Sequence, residues 1–503
     1  MALRNYTFGD VYRRNAECFP DRTAFIFEGK RVTHLDYLQR VERLAGGLAR
    51  LGVTPGDRVA ILSQNSLEMV DLIGAVALLG AILLPVNYRL SPEEIGFVLA
   101  DGAPVVVVAG DGYHDAVVAL KGSLPSARHY FGVGAAHPGL LPFSQVSESG
   151  GDLPHAPFDA DAGFVIIHTA AVGGRARGAL LSQAGLLTAQ SSVVQAWQLD
   201  ERDVSLGVLP LFHVAGLGLM LTVQQAGGAS VIAAKFDAGQ AARDIAAEKI
   251  TVMSEFAPML GSILDQAQPG QLSSLRVVTG LDAPATIERF ESEYPDARFW
   301  ATFGQSETSG LATLSPYRDR PKSAGRPLFW RSMAVVDGDD RPKAAGQVGE
   351  IVMRGPAVFK GYWNLQADTA ITFRNGWHHT GDMGHFDADG YLWYGGRMPE
   401  KELIKTGGEN VYPAEVENAI RQHPSIADVV VIGVPDPQWG EAIKAICVLH
   451  PSRTTSADEI IDFAGGLIAR YKRPKIVVFV DKLPKTTGGD IDRPAVKAAH
   501  GQA

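Results

Sequence analysis

The stretch Phe303-Gly304-Gln305-Ser306-Glu307-Thr308 brings three kinds of chemical group together within six residues. Phe303 offers an aromatic face, Ser306 a hydroxyl group, and Glu307 a carboxylate that can hold a hard cation such as Mg²⁺ beside phosphate groups. Such a set fits a nucleotide site. Taken alone, the stretch is more often a strand end at which Ser306 caps a helical turn.

A basic loop with several glycines follows the apolar run at 164–167. It reads HTAAVGGRARG from His168 to Gly178. The backbone N–H groups of such a loop, together with a cation such as Arg177, can bind a polyphosphate. The loop lacks the Gly-Lys-Ser/Thr ending of a Walker A motif. A surface turn with two solvated arginines explains it about as well.

Two further stretches carry polar groups that could contact a ligand. Asp382 ends a predicted tight turn, Thr380-Gly381-Asp382, and can accept two hydrogen bonds from a ribose diol, while Arg397 can reach the same sugar or a phosphate. The alternative is a turn cap with a surface salt bridge. His213 lies in the apolar run LPLFHVAG, where a histidine is more often a core or pocket-wall residue than a metal ligand or an acid–base catalyst.

The elements that must position these groups alternate between strands and helices. Predicted strands at 58–62, 82–86 and 105–108 are separated by helical pieces, and the pattern repeats from 204 to 255 as a second layer. This alternation predicts an α/β fold with helices on both faces of a sheet and a ligand site beyond the carboxyl ends of the strands. After residue 401, strands at 429–434, 445–449 and 476–480 alternate with helices at 413–422 and 457–471, which predicts a small α+β domain.

Length and charge exclude several classes of protein. A chain of 503 residues is too long for one core, and a net charge of -9 without a basic run argues against nucleic-acid partners. The apolar run from Leu72 to Val86 is too short to span a membrane, so we read it as a buried helix leading into a strand. Two distant cysteines and no secretory signal favour a cytoplasmic protein.

Five collinear stretches, spread over the second half of the chain, together resemble the acyl-adenylate-forming superfamily, and among its members the AMP-forming acyl-CoA synthetases. They are FGQSET (303–308), GEIVMRGPAVFKGYWN (349–364), WHHTGDMG (377–384), DGYLWYGGR (389–397) and KELIKTGGENVYPAEVE (401–417). The wider resemblance runs from Tyr6 to Val496.

The resemblance implies two domains and two half-reactions. A large domain of layered α/β subdomains, residues 1–397, would carry a small mobile α+β domain, residues 398–503, on a hinge at 398–401. The carboxylic acid would attack the α-phosphate of MgATP, and a thiol would then attack the acyl-AMP. ATP, Mg²⁺ and CoA are therefore the expected cofactors, and the family leaves room for a homodimer.

The resemblance also implies a role for each matching residue. Phe303 would stack on adenine with Gly304 and Asp282 nearby, Ser306 would contact the α-phosphate, Glu307 would hold Mg²⁺, and Asp382 and Arg397 would bind ribose. His213 would separate the acyl and nucleotide sites. The phosphate loop would comprise Thr169, Gly173, Gly174, Arg177 and Gly178. The loop for thioester formation would run from Lys405 to Glu409 and include Gly407 and Gly408.

Two stretches depart from the family pattern. The phosphate loop usually reads Thr-Ser-Gly-Thr-Thr-Gly-x-Pro-Lys-Gly, but residues 169–178 read TAAVGGRARG, so most hydroxyls are missing and Arg177 replaces the usual lysine. The C-terminal motif usually carries a lysine that bridges the two reacting anions, and Asp490 stands in its place. An aspartate would repel these anions, which predicts weakened adenylation unless another cation, such as Lys485, substitutes.

These departures keep a second hypothesis open, namely an impaired homologue that only binds nucleotide or acyl-CoA. For the enzyme, the absence of a carboxylate at 211–216 disfavours amino acids, and the absence of arginine at 299–302 disfavours short dicarboxylates. Leu211, Phe212, Val214 and Gly304 fit an aliphatic or aromatic monocarboxylate, as in fatty-acid metabolism. With no carrier-protein segment after Ala503, we expect a free thiol such as CoA as the acceptor.

The substitution Asp490→Lys tests the second departure. A cation restored at this position should offset the charge of the two reacting anions and speed adenylation, by an amount on the order of 3 kcal/mol in the barrier. Single-turnover formation of acyl-AMP measures this rate. An unchanged rate would show that residue 490 is not the position that the family's lysine occupies.

Overall fold

The protein is described by a computed structural model over residues 5–151, 158–169, 176–397, 403–406, 409–436, 439–485 and 491–502. The helices, in chain order, are α1 (Phe8–Cys18), α2 (His34–Arg50), α3 (Leu67–Leu79), α4 (Pro92–Gly102), α5 (His114–Leu120), α6 (Ser144–Ser147), α7 (Gln183–Trp197), α8 (Val214–Ala226), α9 (Ala238–Glu248), α10 (Met259–Gln266), α11 (Pro284–Glu293), α12 (Gln366–Thr372), α13 (Pro413–Ile420), α14 (Ala457–Leu467) and α15 (Arg493–His500).

The strands, in chain order, are β1 (Thr23–Phe27), β2 (Lys30–Thr33), β3 (Arg58–Leu62), β4 (Ile82–Val86), β5 (Val106–Ala109), β6 (His129–Gly132), β7 (Leu141–Pro142), β8 (Gly163–Thr169), β9 (Arg177–Ser182), β10 (Val204–Gly207), β11 (Ala229–Ile232), β12 (Val252–Phe256), β13 (Val277–Leu281), β14 (Arg298–Gln305), β15 (Gly310–Pro316), β16 (Arg326–Pro327), β17 (Ser332–Val336), β18 (Gly349–Arg354), β19 (Gly361–Tyr362), β20 (Phe373–Arg374), β21 (Trp377–Phe386), β22 (Leu392–Arg397), β23 (Ile404–Thr406), β24 (Glu409–Val411), β25 (Ile426–Asp436), β26 (Gly440–Leu449) and β27 (Ile476–Phe479).

Two large sheets account for most of the chain. The first has eight strands in the order β19-β9-β8-β4-β3-β5-β6-β7, and the second has nine in the order β16-β15-β14-β13-β12-β10-β11-β1-β2. The strands at the centre of each sheet run parallel, and each run ends on an antiparallel neighbour, β9 in the first sheet and β15 in the second. The predicted α/β class with two layers is therefore confirmed.

Helices α3 and α8 illustrate why the core lies between the two sheets. Eleven of the thirteen residues of α3 are buried, and α8 is buried to a similar extent, so neither helix has a polar face. Ser66 caps α3 by accepting a hydrogen bond from the Met69 N–H, and Gly80 ends it with φ 66°. The run from Leu72 to Val86 is thus a buried helix followed by β4, as predicted. Among the described residues, no helix is long and apolar enough to cross a membrane.

The third sheet corrects one prediction. It has the order β17-β18-β21-β20, with β22 paired to β21. The residues predicted as a tight turn, Thr380 to Asp382, lie instead inside β21. The register against β18 shifts at this point, and Gly381 has φ 71°, so the strand forms a bulge rather than reversing direction. The bulge leaves Asp382 opposite Arg397 of β22.

The small C-terminal unit holds the fourth sheet, in the order β24-β23-β26-β25 with β27 paired to β26, together with α13, α14 and α15. Two apolar clusters, on opposite faces of this sheet, give it a core of its own. The predicted α+β unit is therefore confirmed. The predicted hinge at 398–401 lies outside the described residues, so the domain boundary at 397 stays a prediction.

A buried lysine fastens the small unit to the large one. Lys472 is 3% exposed, and its Nζ atom contacts Glu94 of α4 in the large unit and lies 2.6 Å from Glu415 Oε1 of α13. Glu94 also accepts a hydrogen bond from the backbone N–H of Ala469 at 3.1 Å. The lysine compensates two partly buried carboxylates at once, and one of these belongs to each unit.

The substitution Lys472→Met tests this fastening. It would leave the carboxylates of Glu94 and Glu415 buried without a cation, at a cost of about 3–5 kcal/mol. Urea unfolding at neutral pH should show the loss, and the exposed residue Lys482, changed to Met, is the matched control. Equal stability of the two variants would refute the role assigned to Lys472.

Candidate active site

A cavity of about 560 Å³ lies beyond the carboxyl ends of β12, β13 and β14, between the second sheet, the third sheet and the small unit. The α/β pattern predicted a site at this edge. The predicted site residues that line it are Thr169, Arg177, His213, Asp282, Phe303, Gly304, Ser306, Glu307, Asp382, Arg397 and Lys405. Residues from all parts of the chain therefore meet in one cleft.

The other predicted residues divide into two groups. Gly178 is buried in β9, next to the cavity, where a Cβ would lie 2.6 Å from the Ile166 side chain. Gly173, Gly174, Gly407, Gly408 and Asp490 lie outside the described residues. Leu211 and Phe212 were predicted for the acyl pocket, but they pack in the main core.

Asp382 and Arg397 form the most buried charge pair of the cleft. They face each other on the hairpin β21–β22, with Arg397 Nε 3.2 Å from Asp382 Oδ1. The hydroxyl of Tyr394 donates to the same oxygen at 3.1 Å, and the Gln305 amide donates to the other. Burial raises the pKa of Asp382, against the charge of Arg397. The pair presents a fixed carboxylate and a guanidinium to the cavity.

An aromatic pair stands beside these charges. The ring centroids of Phe303 and Tyr394 are 6.1 Å apart, with 32° between the ring planes. Phe303 is 7% exposed and Tyr394 is 43% exposed, so one ring is fixed in the wall and the other is open to the cleft. Sequence reasoning identified Phe303 but missed Tyr394 and Gln305, whose partnership with Asp382 depends on the strand register.

Glu307 and Arg177 are linked through Tyr362. The Tyr362 hydroxyl donates to Glu307 Oε1 at 2.8 Å, and the Arg177 guanidinium lies 4.2 Å from the centroid of the same ring. Thr169 and Arg177 are register partners at the ends of β8 and β9 that flank the phosphate loop. The described residues hold no cluster of three metal ligands. A single carboxylate in a cleft is nevertheless the donor set with which Mg²⁺ is bound beside phosphates.

Lys405 reaches into the cleft from the small unit. Its side chain is exposed and lines the cavity. Burial and then the nearby charge of Arg397 lower its pKa. Lys405 is thus, after Arg397, a second basic side chain near Asp382.

Glu409, the last residue of the predicted thioester loop, connects the small unit to the far wall of the cleft. It contacts Arg89 Nη1, and its Oε2 atom lies 3.5 Å from His213 Nε2. Burial would raise the pKa of Glu409, but the contact with His213 and the charge of Arg89 lower it to about 2. Sequence reasoning named His213 and this loop without predicting that they meet, because 196 residues separate them.

The chain matches two family models. Residues 12–363 match the model of the AMP-binding enzyme, and residues 415–489 match that of the AMP-binding enzyme C-terminal domain. It is 36% identical over 497 residues to the indoleacetate–CoA ligase of Aromatoleum aromaticum, which covers 96% of each chain.

Solved structures give the same picture. A protein of Rhodopseudomonas palustris, provisionally named a long-chain fatty-acid CoA ligase, is 67% identical with a TM-score of 0.77, over 79% of this chain and 100% of its own. The o-succinylbenzoate-CoA synthetase of Bacillus subtilis is 27% identical with a TM-score of 0.87, over 97% of each chain, when it is bound to a product analogue. With its acyl-adenylate intermediate the TM-score is 0.71. None of these names indicates an impaired enzyme.

The depressed pKa of Glu409 predicts a pH dependence. Because the folded pKa of about 2 lies below the ordinary value near 4.3, its contribution to stability is present above about pH 4.3 and is lost as the pH falls toward 2. At neutral pH this contribution is on the order of 3 kcal/mol.

Urea unfolding of Glu409→Gln between pH 2.5 and 7 measures the effect, with the exposed residue Glu17 changed to Gln as the control. The Glu409 variant should be less stable than the wild type at pH 7 and should converge with it in acid. A stability difference that does not change with pH would contradict the assignment.

Proposed function

We propose that the acid activated by this enzyme is an aromatic monocarboxylate. The chain belongs to the family of AMP-binding enzymes and is an AMP-forming acyl-CoA synthetase. A carboxylate oxygen of the acid attacks the α-phosphate of ATP, and pyrophosphate leaves. The thiol of CoA then attacks the acyl carbonyl, and AMP leaves. The observation that carries the site assignment is the convergence of the Asp382–Arg397 pair, Glu307 and Lys405 on one cavity.

The nucleoside occupies the part of the cleft between the third sheet and the ends of β13 and β14. Asp382 accepts the ribose hydroxyls, and Arg397 keeps this buried carboxylate charged and in place. Phe303 stacks on the adenine, and the backbone at 279–284, which includes Asp282, flanks it. The support is geometric, since these groups line adjacent walls of one cavity.

The phosphates lie toward Thr169 and Arg177. Ser306 contacts the α-phosphate, and Glu307 holds the Mg²⁺ ion that neutralises phosphate charge when it is bound. Tyr362 orients the Glu307 carboxylate through its 2.8 Å hydrogen bond and is itself covered by Arg177. Because Arg177 is planar and fixed against an aromatic ring, it serves as a rigid anchor in the position where the family has a flexible lysine.

The small unit has the pose expected for thioester formation. Glu409 meets His213, and Lys405 enters the cleft, so the side of the small unit that carries the predicted thioester loop faces the acid. The higher TM-score to the product-bound synthetase than to its adenylate-bound form supports this pose. In this half-reaction His213 forms the wall between the acid and the nucleotide.

Adenylation requires the opposite pose. Asp490 would then enter the cleft, where the family has a lysine. Lys485 stands five residues before position 490 in the same motif, so it is the candidate substitute cation. We expect adenylation to be the slower half-reaction for this reason.

The acid occupies the branch of the cavity between α7, α8 and the second sheet. Its walls carry polar side chains among apolar ones: Gln190 accepts a hydrogen bond from the Thr222 hydroxyl at 2.7 Å, and Ser254 and Thr302 stand opposite. Polar groups in a buried wall favour an acid that bears a ring N–H or oxygen substituent over a plain alkyl chain. The indoleacetate–CoA ligase among the relatives supports this choice. Both cysteines are free thiols, which supports a cytoplasmic location.

Acid-dependent release of pyrophosphate tests the proposal. With ATP, Mg²⁺ and CoA, indole-3-acetate and ferulate should give a kcat/KM at least about 10-fold above that for hexadecanoate, because an alkyl chain would desolvate the polar groups of the wall without offering them a hydrogen bond. Asp382→Asn should raise the KM for ATP with every acid. A preference for hexadecanoate would overturn the aromatic substrate, and an unchanged KM would overturn the nucleotide site.

A further inference from the structure

We propose that Trp197 closes the far end of the acid-binding branch and thereby sets the length of acid that the enzyme accepts. This inference rests on the proposed function, in that it takes the branch between α7, α8 and the second sheet as the place of the acid. It assigns a specificity role to a residue that stands far from every chemical motif of the sequence.

One face of α7 forms a wall of the branch over its whole depth. Gln190, Val193 and Trp197 all line the cavity, and they follow one another at helical spacing. At 1.5 Å per residue, the seven steps from Gln190 to Trp197 cover about 10 Å. Gln190 donates to the Ser309 carbonyl at 3.3 Å, close to the catalytic stretch, so Trp197 marks the opposite end.

The surroundings of Trp197 place that end at the amino edge of the second sheet. Its carbonyl accepts a hydrogen bond from Arg276 Nη1 at 2.7 Å, and Arg276 directly precedes β13. Its ring belongs to the apolar cluster that contains Val252 and Val277, the first residues of β12 and β13. The nucleotide residues lie past the other end of these strands, and Ser254 of β12 and Thr279 of β13 line the cavity between the two ends.

The indole ring fills this end. Trp197 is 3% exposed, and Leu219 of α8 and Leu314 of β15 pack in the same cluster. Its Nε1–H has no hydrogen-bond partner among the described residues. Among the described residues, no hydrogen bond holds the ring in place, so we attribute the role of Trp197 to the volume of its side chain. A phenyl ring at this position would keep the closure, whereas an alanine would lengthen the branch by the space of the ring.

The consequence for the substrate is a limit on length rather than on polarity. A flat aromatic acid can extend from the catalytic stretch until its distal edge meets the indole. A long alkyl chain must pass that point, and the ring blocks it. Removal of the ring should therefore allow longer acids to bind and should weaken the binding of short ones.

The experiment compares Trp197→Ala, Trp197→Leu and Trp197→Phe with the wild type on indole-3-acetate, octanoate and hexadecanoate. We expect the alanine and leucine variants to gain at least about 10-fold in kcat/KM for hexadecanoate and to lose about 10-fold or more for indole-3-acetate. The phenylalanine variant should keep the wild-type order of acids. The leucine variant serves as the test if the alanine variant does not fold, as judged by thermal unfolding.

The outcomes separate this inference from the function proposed above. An unchanged acid profile in both the alanine and the leucine variants would overturn the role of Trp197. A wild type that prefers octanoate to indole-3-acetate, with hexadecanoate admitted only in the variants, would overturn the aromatic substrate and leave the role of Trp197 standing. A wild type that already accepts hexadecanoate as well as the variants do would overturn both.

Discussion

Glu409 carries a negative charge into the boundary between the small unit and the large one, where burial alone would penalise it. The charge is tolerated because Arg89 and His213 of the large unit meet it there. Lys472 forms a second charged contact at the same boundary. Here one cation lies between two carboxylates, those of Glu94 and Glu415. Buried charges of this kind favour the observed orientation of the small unit, because a rotation of that unit would separate them from these partners. The shape of the cleft depends on these contacts.

Within the cleft, charge is distributed by function. The Asp382–Arg397 pair is neutral overall and well hydrogen-bonded, which suits a sugar. Lys405 adds a further cation whose pKa is lowered by burial and then by Arg397, while the carboxylates of Asp382 and Glu441 raise it. The acid branch contains amide and hydroxyl groups but no ion pair among its described lining residues. The enzyme brings together two anions, the carboxylate of the acid and the α-phosphate of the nucleotide. The charged and the uncharged parts of the cleft must therefore lie close to each other and still remain distinct.

The sequence predicted the fold class and many of the groups that line the cleft because both are encoded locally. Strand and helix alternation is visible in short windows, and Phe303, Glu307, Asp382 and Arg397 stand in distinctive stretches. The turn at 380–382 was predicted wrongly because a glycine before an aspartate looks the same in a bulge as in a reversal. Trp197 and Gln190 were missed, since in sequence they are ordinary positions of a helix. Their relation to the cleft exists only after α7 has packed on the second sheet.

The hairpin β21–β22 has one further consequence. Arg397 is the last residue of β22, and β22 is the last described element before the small unit. A nucleotide that engages the Asp382–Arg397 pair therefore acts on the root of the connection to the small unit. If AMP favours one orientation of that unit, thermodynamic reciprocity requires that orientation to retain AMP more tightly by the same free energy. The affinity for AMP and the orientation of the small unit would then be coupled, so that AMP release and reopening of the cleft depend on the same equilibrium.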